Sequence, residues 1–100
     1  MHRRRETTLS FPPDSPCLAG HFPGNPVVPA AAILAAVTGW TERELGRKVA
    51  GIASARFRSP LLPGATWSVV LDEGEAGAAL VTGRDAERIA MSLRLRLEPV

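Results

Sequence analysis

The chemically most informative stretch is a short loop built around one histidine. It runs from Gly20 to Pro29 and reads Gly-His-Phe-Pro-Gly-Asn-Pro-Val-Val-Pro. Proline fixes φ and has no backbone donor, and glycine permits positive φ, so this run predicts a stiff, bent loop instead of a helix or a central strand. We expect His21 to belong to a functional site. The alternative is a core histidine that only ties down the loop.

A helix is predicted directly after this loop. Residues Ala30 to Leu45 contain no proline and a single glycine, and Pro29 suits a helix start because its missing N–H would have no partner there. Gly46 is a natural stop after the last turn. The start of a helix carries unpaired N–H groups and a partial positive charge, which can polarise a carbonyl oxygen. The sequence therefore predicts a histidine held against a helix N-terminus.

The remaining chain alternates between short apolar patterns and turns. We predict a first strand from Glu6 to Phe11, preceded by a frayed basic tail at residues 1–5. Four strands are predicted after the helix: Val49–Arg58, Ala65–Asp72, Ala78–Thr82 and residues 88–98. In the last strand the apolar residues from Ile89 to Leu97 face inward, and Ala90 and the arginines face outward. Such alternation indicates an antiparallel sheet with one wet face.

The helix pattern predicts where it is buried. Its first two turns are apolar on every side, which indicates burial all round. Its final turn, from Thr41 to Glu44, is polar and should emerge into water. We therefore expect the first two turns of the helix to lie in the core and only its last turn to reach the surface.

Composition places limits on the function. The 100 residues suit one domain over 1–100, and much of the 45% apolar content is alanine, so the core of one chain is thin and favours a partner subunit. The net charge of +2 is too weak to indicate nucleic acid. No apolar run approaches a membrane span. A lone Cys17 fits a reducing compartment, and the few His and Cys residues predict no metal site and no cofactor.

The loop also carries a resemblance. His-Phe-Pro-Gly-x-Pro-Val-x-Pro followed by a small-residue helix resembles the active-site stretch of the 3-hydroxyacyl-acyl-carrier-protein dehydratase family. Similar blocks follow in the same order: Val49–Ile52, Ala55–Arg58 and Leu62–Gly64. The resemblance covers about Leu18 to Gly64. It implies an α+β hot-dog fold, in which a curved antiparallel sheet of about five strands wraps one central helix.

The resemblance implies a lyase of fatty-acid or polyketide-type lipid biosynthesis, located in the cytoplasm. Such an enzyme eliminates water from a 3-hydroxyacyl thioester, with His21 as the base. The N–H groups at the helix start would bind the thioester oxygen, and acyl carrier protein would deliver the substrate. The implied substrate-binding residues are Phe22, Gly24, Ala30 through its backbone N–H, Ala31, Phe57 and Pro60. Arg56 and Arg58 are the expected carrier-protein contacts, and Arg3–Arg5 either steer the carrier or form a solubilising tail.

One departure from the family is as informative as the match. The family places Glu or Asp on the central helix fourteen residues after the histidine, and here that position is Ala35. Thr38 shares the face of Ala35 but is a poor acid, and Glu42 lies too far along the axis. Asp14, just before the loop, is the remaining candidate for a substitute. The sequence thus predicts half of a catalytic pair.

Three functions stay open at this stage. The first is a dehydratase that is impaired alone and works as a homodimer, a higher homo-oligomer or a heterodimer with a complete relative. The second is a non-catalytic hot-dog subunit that binds acyl chains or pairs with a complete dehydratase. The third is a hot-dog thioesterase, which also needs a helix carboxylate. Cys17 lies four residues before His21, but we interpret it as a small buried residue and not as a nucleophile.

Overall fold

A computed structural model describes residues 3–15 and 27–99 of the chain. Within these ranges one strand, one helix and four strands follow in the predicted order. They are β1 (Arg3–Ser10), α1 (Ala30–Leu45), β2 (Val49–Phe57), β3 (Thr66–Glu73), β4 (Ala78–Asp85) and β5 (Arg88–Leu97). The helix has the predicted bounds. Pro29 is the extended N-cap, and Gly46 ends the helix in the left-handed region with φ 63°.

The strands form one antiparallel sheet in the order β1-β3-β4-β5-β2. Its inner face carries the predicted alternation of β3, because Trp67, Val69 and Leu71 are each buried. The helix adds Ile33 and Val37 to the same apolar core. One helix packed on one face of a five-stranded sheet is the arrangement that the sequence predicts. The two outermost strands, β1 and β2, have free edges among the residues described.

The basic start of the chain is not frayed from Arg3 onward, so that prediction was wrong. Arg3 to Arg5 pair with the end of β3 as part of β1. The Arg4 guanidinium donates a 3.0 Å hydrogen bond to Asp72, and this contact raises the pKa of Arg4. Arg5 lies 3.4 Å from a carboxylate oxygen of Glu44 near the end of α1. This segment is ordered by pairing with β3 and by the carboxylates of Asp72 and Glu44, all of which are distant in sequence.

The predicted alternation of β5 fails at its start. Ile89 was expected to face inward and is 41% exposed, whereas Ala90 was expected outside and is fully buried. Arg84 pairs with Ile89 and Gly83 with Met91, so Ala90 is an extra residue in a β-bulge. From Met91 onward the predicted inward set holds. The same hairpin is longer than predicted, because β4 continues past Thr82 to Asp85.

Two expectations about the helix surface were also wrong. Thr41 is fully buried, because its hydroxyl donates a 2.8 Å hydrogen bond to the carbonyl of Val37 and needs no water. Ala31 and Ala35, expected to be buried, are exposed. The sheet therefore covers one side of α1, and the small residues on the other side face outward in the single chain.

Strand β2 is the least covered element of the sheet. Every residue from Ile52 to Phe57 is exposed, although Ile52 pairs with buried Leu95 and Phe57 with buried Met91. Directly opposite residues share a face, so both side chains lie on the inner face. The inner face of β2 thus remains an uncovered apolar strip beside a free strand edge.

Candidate functional site

The helix start has the free donors that the sequence predicts. Pro29 accepts hydrogen bonds from the N–H groups of Ala32 and Ile33, at 3.0 and 3.2 Å. Within the described ranges the N–H groups of Ala30 and Ala31 have no such partner. No acidic residue lies in the first turn to neutralise the helix dipole. This end of α1 can therefore stabilise an oxygen that gains negative charge.

An open cavity of about 240 Å³ lies beside this helix start. Ala30 and Ile33 border it from the helix, and Phe57 and Pro60 border it from the end of β2 and the bend that follows. It is completed by Val27, Val28, Arg58, Ser59 and Leu61. The lining is mostly apolar, which suits a hydrocarbon chain. Of the predicted substrate-binding residues, the structure brings Ala30, Phe57 and Pro60 together here.

Backbone hydrogen bonds fix the shape of this cavity. The N–H of Val28 donates to the carbonyl of Leu61 at 2.9 Å, which ties the segment before the helix to the bend after β2. The N–H of Arg58 donates to Ala90 at 2.7 Å, which ties the other end of the bend to β5. Leu61 is buried, whereas Leu62 is half exposed. The bend that follows β2 is thus a cavity wall anchored at both ends.

Ala31 is the one predicted substrate-binding residue within the described ranges that does not line this cavity. Ala31 is on the outward side of the helix, one position beyond Ala30. His21, Phe22 and Gly24 lie outside the described residues, as does Cys17. Their assignment to the site therefore stays a prediction from the sequence.

The acid position of the family is occupied by an exposed methyl group. Ala35 and Glu42 lie on one face of the helix. A Glu42 carboxylate oxygen accepts a 2.8 Å hydrogen bond from the N–H of Val49, the first residue of β2. This contact shows that Glu42, near the C-terminal end of the face that carries Ala35, reaches the start of β2. It also commits the carboxylate of Glu42 to the backbone, so Glu42 does not replace the missing acid.

Asp14 lies in the turn after β1. It is exposed, and its carboxylate has no ion pair or hydrogen bond within the described residues. The turn is held beside the bend that borders the cavity, because Phe11 accepts a 2.8 Å hydrogen bond from the N–H of Gly64. Asp14 is therefore free to act but is not built into the cavity wall.

The residues described contain no group of three or more His, Cys, Asp or Glu side chains placed to hold a metal ion. In the same part of the chain, α1 is too short and too polar to cross a bilayer.

Comparison with known proteins identifies the family. The family model described as ApeI-like, for the ApeI dehydratase, matches residues 1–92. The chain belongs to the ApeI-like dehydratase family. The solved structure described as the dehydratase heterocomplex ApeI:P from Xenorhabdus doucetiae superposes with a TM-score of 0.84 at 20% identity, over 99% of this chain and 95% of that one. This match confirms the hot-dog fold.

Other relatives match part of this ApeI-like chain or share its fold. A curated 3-hydroxyacyl-[acyl-carrier-protein] dehydratase FabZ from Symbiobacterium thermophilum is 43% identical over 60 residues, which is 51% of this chain and 42% of that protein. The FabZ of Haemophilus influenzae is 41% identical over 61 residues, 51% of this chain and 41% of its own length. The match thus spans about two fifths of these curated relatives. An uncharacterised protein from Erwinia carotovora has a TM-score of 0.79 and 26% identity, over 99% of this chain and 86% of that one.

The two arginines predicted to contact a carrier protein lie at one edge of this ApeI-like sheet. Arg56 pairs with Ser92 on the outer face, opposite to the helix, and Arg58 borders the cavity. Two further arginines of β5 lie on the same outer face, since Arg94 pairs with Ser54 and Arg96 with Gly51. Sequence reasoning missed this grouping, although the alternation of β5 already placed Arg94 and Arg96 on the wet face.

Proposed function

We propose that this chain is the histidine-bearing subunit of a dehydratase for 3-hydroxyacyl thioesters carried by an acyl carrier protein. His21 takes the proton next to the thioester carbonyl, the C–O bond to the 3-hydroxyl breaks, and an acid protonates the departing oxygen. The products are an enoyl thioester and water. Membership of the family and the match to the FabZ relatives support this reaction.

The observation that carries this proposal is the cavity at the helix start. The free N–H groups of Ala30 and Ala31 provide donors for the thioester oxygen, which becomes more negative as the proton leaves. Phe57 and Pro60 supply apolar walls for the first carbons of the acyl chain. An anion-stabilising helix end beside an apolar cavity is what β-elimination from a thioester requires.

The missing helix acid determines which dimer of this chain can have a complete catalytic site. A general acid contributes roughly 10²–10⁴-fold to a rate, and Ala35 contributes nothing of the kind. We propose that in this family the histidine of one chain meets the helix carboxylate of its partner. A homodimer then has two sites without an acid. A heterodimer with a complete relative has one full site, made from His21 and the partner's carboxylate.

The uncovered face of β2 supports a partner subunit. An exposed edge strand with Ile52 and Phe57 at 41% and 37% exposure is a surface that associates readily with another chain. Ala35 is exposed on α1, so a partner subunit can reach this position. A related solved structure is itself described as a dehydratase heterocomplex. These observations favour pairing along β2, with a complete dehydratase as the productive partner.

Ala35 also favours a second candidate function, a non-catalytic subunit that holds an acyl chain or supports an active relative. The two functions differ in whether His21 takes part in turnover. For either one we place the protein in the cytoplasm, in fatty-acid or polyketide-type lipid biosynthesis.

The test is a hydration and dehydration assay on crotonyl-type substrates linked to carrier protein or to pantetheine. The purified chain, its His21→Ala variant and the chain co-expressed with a complete dehydratase from the same genome are compared. We expect little turnover by the chain alone and a gain on co-expression that His21→Ala removes. A gain that is indifferent to His21→Ala would establish the non-catalytic subunit instead.

A further inference from the structure

Three arginines on the outer face of the sheet and a fourth directly after β2 form one basic surface. We define the outer arginine surface as Arg56, Arg58, Arg94 and Arg96. Arg94 and Arg96 point outward from β5 because Leu93, Leu95 and Leu97 alternate with them and are buried. Arg56 pairs with Ser92, which lies between buried Met91 and Leu93, and therefore shares that face.

The packing of Arg96 shows where this charge is directed. A Cβ atom added to Gly51 would lie 2.6 Å from Nη2 of Arg96, so the guanidinium lies flat across the glycine on β2. The absence of a side chain at Gly51 is what leaves room for it. The positive charge of Arg96, a residue of β5, therefore lies over β2 at the edge of the sheet.

The arginines of this surface lack the carboxylate partners that other arginines of the chain have. Arg4, Arg5 and Arg47 each lie within 3.4 Å of a carboxylate oxygen. None of the four outer arginines has an ion pair within residues 3–15 and 27–99. Asp72, which faces the same side from β3, is already engaged by Arg4. Glu98 follows β5 and is exposed, and one acid against four arginines leaves a net positive charge for a partner.

The surface leads to the candidate site. Gly51, beneath Arg96, and Arg58 are seven residues apart along β2 and the bend after it, so the surface extends roughly 20 Å. That length suits a macromolecule better than a small anion. Its far end is Arg58, which borders the cavity at the helix start. A partner bound along the arginines would therefore be placed at the cavity entrance.

We propose that an acidic acyl carrier protein docks on the outer arginine surface. Arg94 and Arg96 bind the carrier at the end of the surface away from the cavity. Arg56 and Arg58 bind it at the end beside the cavity, so that its thioester-linked acyl chain can enter. This docking mode rests on the proposed function. A nucleic acid is disfavoured, because the whole chain has a net charge of only +2 and the surface ends at an apolar cavity.

The experiment measures binding of each fluorescently labelled acyl carrier protein encoded in the same genome, at low and high salt. The test variant is Arg94→Glu/Arg96→Glu. The matched control is Arg43→Glu/Lys48→Glu, which makes the same change in net charge at exposed positions near the end of α1. We expect about a tenfold or larger loss of affinity in the test variant, less than about twofold in the control, and weakening by salt in the parent chain. Folding of each variant is checked by thermal unfolding.

Two outcomes would overturn the docking mode. Either both double variants bind the carrier equally well, or a 20-nucleotide single strand binds through the same arginines while no carrier does. Turnover of a pantetheine-linked substrate, which has no carrier to dock, is measured in parallel. If that turnover is absent even with a complete partner subunit, the proposed reaction fails, whereas normal turnover with unchanged carrier binding would reject only the docking surface.

Discussion

The carboxylate of Glu42 accepts a 2.8 Å hydrogen bond from the N–H of Val49, so the last acid on the Ala35 face of the helix is tied to the start of β2. This contact joins the two features on which the proposal depends. It leaves the helix face without a free acid, and it joins the C-terminal end of that face to the first residue of β2. The chain is therefore suited to a catalytic site whose acid comes from a partner subunit.

Restoring the acid should restore turnover in the homodimer. We expect Ala35→Glu to raise dehydration of a carrier-linked 3-hydroxyacyl substrate by roughly 10²–10⁴-fold, since each site of the homodimer would then combine His21 of one copy with the new acid of the other. Ala35 is exposed and glutamate is a good helix former, so the fold should tolerate the change. The control is Ala31→Glu, which adds the same acid one turn earlier on the same face. Equal gains in both variants would contradict the assigned acid position.

Removing the Glu42 contact should affect stability and not chemistry. Glu42→Ala leaves the partly buried N–H of Val49 without its acceptor, which costs about 1–2 kcal/mol. For a domain of this size, 1 kcal/mol lowers Tm by roughly 4–8 °C. Thermal unfolding measures this loss, and turnover with a complete partner should stay within about twofold of the parent. A large fall in turnover at unchanged Tm would make Glu42 the hidden acid after all.

Arg47 should be a principal electrostatic contributor to stability. Its guanidinium lies 3.4 Å from a Glu73 carboxylate oxygen and donates a 2.7 Å hydrogen bond to the carbonyl of Glu98, and both ionic side chains are less than one fifth exposed. We expect Arg47→Met to cost about 2–3 kcal/mol, because it leaves a largely buried carboxylate without this partner. Arg4→Met removes a pair whose arginine is 67% exposed and should destabilise the fold much less, because solvent screens this contact. Chemical denaturation of both variants measures the two losses in the free energy of unfolding, and we expect the loss to be larger for Arg47→Met.

The association surface can be tested at Ile52. We expect Ile52→Asp to weaken self-association or pairing with a complete dehydratase by at least about tenfold, because a charge would be placed on the apolar strip of β2. Leu80→Asp is the control, since Leu80 is 39% exposed, close to the 41% of Ile52, but lies on the central strand β4. Sedimentation velocity over a concentration series measures the association. Equal weakening in both variants would mean that β2 is not the contact.

Local signals predicted much of the fold. Pro29 and Gly46 predicted the two ends of the helix, because each has a backbone property that a helix interior does not accept. The alternation of Trp67, Val69 and Leu71 predicted which face of β3 is buried. The features that were not predicted depend on contacts between residues distant in sequence. Arg3 to Arg5 become a strand only because β3 lies beside them.

Details of register and polar burial could not be predicted either. A bulge at Ala90 reverses the expected positions of Ile89 and Ala90, and it arises from the pairing with β4 and not from local composition. Thr41 is buried because Val37 satisfies its hydroxyl. In the site, the sequence predicted that Ala30, Phe57 and Pro60 belong together. It missed Arg94 and Arg96, because grouping them with Arg56 requires the pairing of β2 with β5.

The most direct test of the shared site uses a complete dehydratase whose own catalytic histidine has been replaced by alanine. Mixed with this chain, it leaves one competent site, made from His21 and the partner's helix acid. We predict that steady-state dehydration of a 3-hydroxyacyl-carrier substrate is near zero for each protein alone, appears in the mixed complex, and disappears again with His21→Ala. Full activity of this chain alone, undiminished by Asp14→Ala, would contradict the account.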